Sequence, residues 1–484
     1  MLTDKAHAYR ALVSRDARFD GVFFVGVSTT SIYCRPICPA RTPREERCTF
    51  FASAALAESA GFRACFRCRP ELAPGTASVD ACSRLALAGS LRIDAGALDH
   101  GGSMETLAAS LGVSSRHLRR VMESELGVAP HALAESRRLA TAKQLLTDTT
   151  LSMAQVAFTS GFGSVRRFND AFQKRFGSAP RKLGGSAPPL DADGITLKLA
   201  YRAPFDWQGL LHYLGPRAIP QLEEVQGGIW RRLIHIEGKA GIVEVRNAPE
   251  FSQLHARIPS ALFNHMRMIA ILLRHAFDLD AEPDRIANAL GTSLAEHVKR
   301  TPGLRVPGCV DPFELAVRAI LGQQVSVRGA STLAGRLVQR FGEKHTTGDA
   351  LCMSFPSAAR LAETPSAELA TIGLPLKRAE TIRMLAERVS QGEVTLSPAL
   401  RNAHAVEDTM RTLREQAGIG PWTAEYIAMR ALRWPDAFVA GDLGVRKAMG
   451  LPDGPISERE ARARAEAFRP YRAYAVLHLW NALT

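Results

Sequence analysis

A chain of 484 residues, 46% of them hydrophobic, can bury several cores, and domain-size statistics suggest about three or four. A net charge of +13 and a pI near 9.6 point to an acidic partner such as nucleic acid. Eight cysteines are too few for a disulfide scaffold, the longest apolar run (residues 268–273) is too short to span a bilayer, and the start Met1-Leu2-Thr3-Asp4-Lys5 has no apolar leader, so a reducing cytosol is expected and a membrane is not.

Near the start stand Cys34 and Cys38, then, after 26 intervening residues, Cys65 and Cys68. Two short-spaced cysteine pairs joined by one loop can meet at a tetrahedral metal, and all-thiolate ligation favours zinc. The plainer alternative is a knuckle that only holds a small domain together. Arg35, Arg41, Arg44, Arg47, Arg63, Arg67 and Arg69 surround the pairs. Such a cluster stabilises thiolates and attracts phosphate. Cys48 and Cys82 complete no pair and read as small buried side chains.

The run Thr29-Thr30-Ser31-Ile32-Tyr33-Cys34-Arg35-Pro36-Ile37-Cys38, with Ala40-Arg41 and Gly61-Phe62-Arg63-Ala64-Cys65-Phe66-Arg67-Cys68-Arg69-Pro70, resembles the amino-terminal domain of Ada-type adaptive-response regulators. The resemblance implies zinc on all four cysteines, and Cys34 as acceptor of a methyl group from a methyl phosphotriester in damaged DNA. Methylation turns a thiolate into a neutral thioether and takes the centre from minus two to minus one. DNA then repels it less, so methylation would act as a damage-triggered switch.

A stretch at residues 72–78 is expected to end this first domain (residues 1–76). Helical periodicity follows, in a segment where residues 101–186 hold 12 lysines and arginines against 6 acids. Two helix-turn-helix patterns lie there, one over residues 104–121 with its turn at Gly112, one over 153–168 with its turn at Gly161. Val113, Leu118 and Val121 are expected to face the small core. The pair, separated by a predicted helix at 132–147, together with Gly161-Phe162-Gly163-Ser164, Phe168 and Phe172-Gln173-Lys174-Arg175-Phe176-Gly177, resembles the AraC-type DNA-binding domain (residues 79–183). Arg116, Arg119, Arg120, Arg166 and Arg167 are candidates for groove or phosphate contact, against the alternative of a solvated helix face.

Gly184-Gly185-Ser186-Ala187-Pro188-Pro189 reads as a linker. Strands are predicted at 195–199, 228–236 and 241–245, and helices at 207–214 and 261–277, giving a small α+β domain (190–278) without evident chemistry. From Asp284 the pattern is almost all helical (284–484), with a helix start at Asp311 or Pro312. The fold class expected is multidomain, mainly α with α+β parts.

Ala417-Gly418-Ile419-Gly420-Pro421 joins two predicted helices. Gly418 and Gly420 let backbone approach a phosphate, and the helix start adds free amides. Twenty residues after Trp422 comes Asp442. Taken with Pro302-Gly303-Leu304-Arg305, Val317-Arg318-Ala319-Ile320-Leu321-Gly322-Gln323, Pro375-Leu376-Lys377-Arg378-Ala379-Glu380 and the run from Arg472 to Trp480, this resembles the helix-hairpin-helix DNA glycosylases, in particular the AlkA-type 3-methyladenine glycosylases. The resemblance places the catalytic aspartate at Asp442. A carboxylate there stabilises the positive charge left on deoxyribose when a base departs; the alternative is a helix N-cap. Trp422 stands where strand-cutting members carry a lysine for a Schiff base, so base removal without strand cleavage is expected. Trp422, Tyr426 and Trp480 would stack on a cationic alkylated base, although Tyr426 also reads as core. Gln324 stands where AlkA-type proteins have an apolar wedge; glutamine fills space but wedges less well.

The expected protein is therefore a bacterial alkylation-response fusion at the nucleoid. It would act as a monomer on double-stranded and alkylated DNA and on a promoter operator, with RNA polymerase as partner. It needs one zinc, and a monovalent cation at the hairpin turn is a second candidate cofactor. Two rivals are an activator with an inactive glycosylase fold, and a glycosylase merely tethered by its zinc and helix-turn-helix parts. The Pro-Cys-His-Arg mark of an alkylguanine methyltransferase domain does not occur.

Overall fold

The computed structural model describes residues 5–74, 84–149, 151–183, 194–347, 350–397, 403–450, 452 and 454–483. Cys82, most of the 72–78 stretch and the 184–189 linker lie outside the described residues. The chain forms two compact units: Met1–Ala203 with Ala248–Ile271, and Pro204–Asn247 with Leu272–Thr484.

In the first unit a four-stranded sheet runs in the order Cys48–Phe51, Phe24–Val27, Ile32–Cys34, Arg63–Ala64. The first two pairings are antiparallel, with Val25 opposite Cys34, and the last is parallel, with Ile32 opposite Arg63. Aromatic pairs fill its faces: Phe23 with Phe50, Phe24 with Tyr33, Phe51 with Phe62. Cys48 is buried in the same core and its thiol meets the carbonyl of Arg44 at 3.3 Å.

The helix-turn-helix pairs are Met104–Ala109 with Ser115–Leu126 and Met153–Thr159 with Val165–Phe176, separated by the long helix Pro130–Asp148. Each of the four short helices starts at a serine: the Ser103, Ser114, Ser152 and Ser164 hydroxyls accept from the backbone amides of Thr106, His117, Gln155 and Arg167. Such caps contribute about 1 kcal/mol each, which matters for helices of only six or seven residues. The turn glycine Gly161 has φ 92°, and a Cβ there would lie 2.4 Å from the Asp99 carboxyl carbon, so no other residue fits. Leu118 is fully buried beside Ala108 and Met122, while Val113 and Val121 pack on the same cluster half-buried.

The strands Ile195–Ala200 and Gln253–Ile258 also belong to the first unit, paired antiparallel with Ile195 opposite Ile258. Lys198 Nζ bonds Asp148 at 2.9 Å, Arg202 Nε bonds the carbonyl of Asp20 at 3.1 Å, and Arg267 bonds Asp99 and the carbonyl of Ile93.

The second unit opens with the helix Trp207–Leu214 and a meander of Glu223–Gln226, Ile229–Ile236 and Lys239–Ala248. Its core gathers on the helix Pro312–Leu321, in which Phe313, Glu314, Leu315, Ala316, Val317, Ala319, Ile320 and Leu321 are all buried. Asp311 caps that helix through the amides of Phe313 and Glu314. Glu314 is buried with Arg232 and Arg318, and this paired charge holds the helix to the meander. Two features depart from the sequence reading. The strands Glu223–Gln226 and Gln253–Ile258 were not expected, and the part from Asp284, expected to be almost all helical, contains a hairpin, Lys344–Thr347 with Ala350–Met353.

Candidate metal centre and active site

The sheet brings the cysteines together. Strand Ile32–Cys34 delivers Cys34, and the backbone amide of Cys65 donates to the carbonyl of Tyr33 at 3.0 Å, which sets the second pair beside the first. One sulfur from each of Cys34, Cys38, Cys65 and Cys68 lies within 4.8 Å of the other three, and all four residues are buried. The amide of Arg35 points at Cys68 Sγ, 3.3 Å away. Hydrogen bonding to Cys38 and Cys65 pushes the Cys34 thiol far above its ordinary value, while hydrogen bonding to Cys34 drives Cys65 far below. Four buried sulfurs within 4.8 Å of one another, with no second kind of donor among them, fit one tetrahedral thiophilic dication.

The surrounding arginines divide. Arg35 is buried and forked onto Asp20, with Nε 2.7 Å from Oδ1, and Arg69 is bidentate on Asp148 at 2.7 and 2.9 Å. The expected phosphate-attracting cluster is thus smaller than the seven arginines near the cysteines: a buried guanidinium is retained only when a carboxylate offsets its lost hydration. Arg63 donates to the carbonyl of Phe176. Arg41, Arg44, Arg47 and Arg67 are exposed.

Lys143, in the helix Pro130–Asp148, reaches the metal loop. It is 1% exposed, and its ammonium donates to the carbonyl of Cys65 at 2.8 Å and to Glu71 at 2.9 Å while lying 4.8 Å from the Phe66 ring centre. On the helix-turn-helix faces Arg116, Arg119, Arg120, Arg166 and Arg167 are all exposed, with Arg116, Arg166 and Arg167 in the first turns of their helices. Arg119 is drawn to Glu123 at 2.8 Å, one turn on.

In the second unit the hairpin joins Ala403–Arg414 to Pro421–Arg430. Gly418 has φ 89°, and a Cβ there would fall 2.1 Å from Thr381 Oγ1. Gln323 Nε2 donates to the carbonyl of Gly418 at 2.9 Å and to Thr423 Oγ1 at 3.0 Å, so the loop after Pro312–Leu321 clamps the turn. Gln324 is exposed at φ 58°, next to the exposed Val325.

Asp442 is held from both sides. Trp422 Nε1 donates to Oδ2 at 3.0 Å and Trp480 Nε1 to Oδ1 at 2.9 Å. The amide of Val445 also donates to Oδ1 at 2.9 Å, so Asp442 caps the helix Leu443–Gly450 as well. The cap and the indole contacts coexist. Trp422 and Trp480 also wall a cavity of about 390 Å³, completed by Tyr426, Tyr213, Arg217, Arg318 and Arg430. Trp422 and Tyr426 stack at 5.1 Å and 11°.

Tyr213, Arg217 and Arg430 escaped the sequence reading. The Tyr213 and Tyr426 hydroxyls are 3.1 Å apart, and Arg430 Nη1 donates to Tyr426 at 2.8 Å. Burial works to raise the Tyr426 phenol, but the Arg430 guanidinium and the Tyr213 hydroxyl outweigh it and bring it down to about 8; burial pushes Tyr213 up to about 12. Arg217 lies 3.8 Å over the Tyr213 ring. Only the position of Tyr213 in the cavity wall, 213 residues from Tyr426, reveals this group.

An aromatic cavity beside a doubly held carboxylate, on a helix-hairpin-helix, places this unit in the class of base-excision DNA repair proteins. The first unit is a metal-binding, helix-turn-helix regulatory part. Family descriptions match accordingly: the metal-binding domain of Ada over residues 7–71, a helix-turn-helix domain over 107–184, the AlkA N-terminal domain over 196–311, and the HhH-GPD superfamily of base-excision DNA repair proteins over 317–469. The chain belongs to the family of bifunctional transcriptional activator/DNA repair enzymes of the AlkA kind. It is 39% identical over its whole length to the probable enzyme of that description from Mycobacterium tuberculosis, covering 97% of that protein. It is 34% identical to DNA-3-methyladenine glycosylase 2 of Escherichia coli, over 58% of this chain and 95% of that one. The solved structure of 3-methyladenine DNA-glycosylase from Archaeoglobus fulgidus covers 59% of the chain and 97% of its own length at 22% identity and TM-score 0.50, a likeness of fold. The chain thus carries a zinc-binding domain, an AraC-type DNA-binding domain and a DNA glycosylase domain. None of the described helices is long and apolar enough to cross a membrane.

Proposed function

We propose that the chain releases alkylated bases such as 3-methyladenine by hydrolysis of the N-glycosidic bond, and that Asp442 supports the sugar as the bond breaks. The observation that carries this reading is the pair of indole donors on Asp442. They fix both carboxylate oxygens beside the cavity, where positive charge develops as the base departs. Trp422 and Tyr426 offer a stacked face to a flipped cationic base. Trp422 has no amine for a Schiff base, so the strand is left uncut.

Cys34 takes the methyl group from a methyl phosphotriester. Its sulfur attacks the methyl carbon, a sulfur–carbon bond forms, the carbon–oxygen bond breaks, and the electron pair stays on the phosphate oxygen as a restored diester. The product thioether is not cleaved again, so each chain reacts once. Zinc, when bound, keeps the four sulfurs deprotonated. The centre loses one negative charge, and exposed Arg41 with the first-turn arginines Arg116, Arg166 and Arg167 then holds DNA more tightly. Operator binding as a monomer, recruitment of RNA polymerase and residence at the nucleoid complete the reading. A monovalent cation at the hairpin would share the carbonyls of Ala417 and Gly418 with the donors Thr381 and Gln323.

One experiment addresses both activities: the chain is incubated with DNA alkylated by a radiolabelled methyl donor. Label on the Cys34 peptide and free methylated bases are expected. Bases released equally by Asp442→Asn, or label absent from Cys34, would defeat the corresponding half.

A further inference from the structure

The cysteine quartet is not the only place where metal-ligating side chains converge. On the meander strand Ile229–Ile236 stands His235; on the hairpin strand Lys344–Thr347 stands His345; Glu343 directly precedes that strand. His235 Nδ1 and His345 Nε2 each lie 4.0 Å from Glu343 Oε2, the three ligand atoms lie within 4.8 Å of one another, and the imidazole centres are 4.6 Å apart. We propose that His235, Glu343 and His345 form a second metal site, which takes a divalent transition ion such as zinc and pins the hairpin to the meander.

The chemistry of the donor set selects the ion. Two imidazoles and one carboxylate suit zinc, nickel or copper, whereas calcium and magnesium prefer all-oxygen shells. Ligand bonds of about 2.0–2.2 Å put neighbouring donors of a tetrahedral ion about 3.4 Å apart, so the two separations of 4.0 Å must close by roughly half an ångström. The side chains allow it: Glu343 is 68% exposed and free to swing, while His345, at 10%, is fixed in place. His345 Nε2 now faces the Ser354 hydroxyl at 3.1 Å and would exchange that contact for the ion. Three protein donors leave the fourth position to water. The ion would join strands more than a hundred residues apart in sequence, on the meander and on a hairpin the sequence pattern did not announce. This site is independent of the base-excision reading and of the cysteine centre.

The test uses the full chain, loaded with excess zinc, desalted, and counted for bound metal by mass spectrometry. A cadmium-113 NMR spectrum of the substituted protein then separates a tetrathiolate site from a nitrogen and oxygen site. Two metals per chain and two resonances are expected for the wild type. His235→Ala and His345→Ala should each retain one metal and only the tetrathiolate resonance, with release of 3-methyladenine unchanged as the check on folding. Glu343→Gln, at an exposed position that folding does not need, should weaken the second site about tenfold or more. One metal per chain in the wild type, or a second metal that survives both histidine substitutions, overturns the proposal.

Discussion

Lys143 holds the carbonyl of Cys65 from inside the protein, donating over 2.8 Å with its side chain almost wholly buried. The lysine belongs to the helix between the two helix-turn-helices, and the carbonyl belongs to a residue of the cysteine quartet. A change of charge at the quartet can therefore reach the DNA-binding helices through this ammonium group, beside the links that Arg69 makes to Asp148 and Arg63 to the carbonyl of Phe176. Lys143→Met should leave Cys34 methylation intact while shrinking the gain in operator affinity that methylation brings. It also strands Glu71 with Arg69 as its remaining partner, so the first unit should lose about 1–3 kcal/mol. Operator titrations with methylated and unmethylated protein measure the coupling; an undiminished gain would show that the signal takes another route.

Both tryptophans on Asp442 can be tested apart from the aspartate. Asp442→Asn should lower base release about 100-fold or more. Trp480→Phe keeps an aromatic wall but removes one N–H donor to the carboxylate, and about a tenfold fall is expected. The fall should appear in the single-turnover rate of base release with lesion binding little changed. A loss confined to binding would assign Trp480 to stacking alone.

Gln324 sits at φ 58°, a conformation that β-branched residues tolerate poorly. If its side chain fills the gap left by a flipped base, Gln324→Ala should slow excision from duplex DNA and spare excision from single strands. Gln324→Val should do worse than alanine, because it adds backbone strain. Comparing duplex and single-strand rates for the two variants is the measurement, and equal effects on both substrates would remove Gln324 from the flipping step.

His478 gives the second unit a defined acid sensitivity. Burial depresses its pKa to about 4 from the ordinary 6.5, and its Nδ1 faces Thr301 Oγ1 at 3.1 Å. The folded chain therefore binds this proton more weakly than the unfolded chain. The stability it contributes is full above pH 6.5 and is lost as pH falls toward 4, a change of roughly 3 kcal/mol. Melting temperatures of wild type and His478→Gln across that window should converge at the acid end.

Much of this architecture could be read from residue order, and the exceptions have physical reasons. Cysteine spacing is local, so the quartet was visible; so were the helix-turn-helices, where a turn glycine and the apolar core positions after it recur at nearly fixed offsets. The fate of Arg35 was not, because a guanidinium's exposure depends on Asp20, which only folding brings beneath it. Tyr213 lies in a helix whose aromatic positions look like ordinary core, and its cavity neighbours come from the far end of the chain. The strand Gln253–Ile258 could have been found, since Leu254, Ala256 and Ile258 alternate inward; Glu223–Gln226 could not, since its residues are half-exposed and mostly polar.

The chain passes from the first unit to the second and back before leaving for good, at residues 203, 247 and 271. Arg267 grips Asp99, and Lys198 grips Asp148, from segments that flank the excursion. A deletion at the 184–189 linker, the natural cloning boundary, would strip the regulatory half of both braces. Separating the two activities genetically therefore calls for single substitutions in an intact gene, and truncated halves that fail to work should not be taken as evidence that either activity depends on the other.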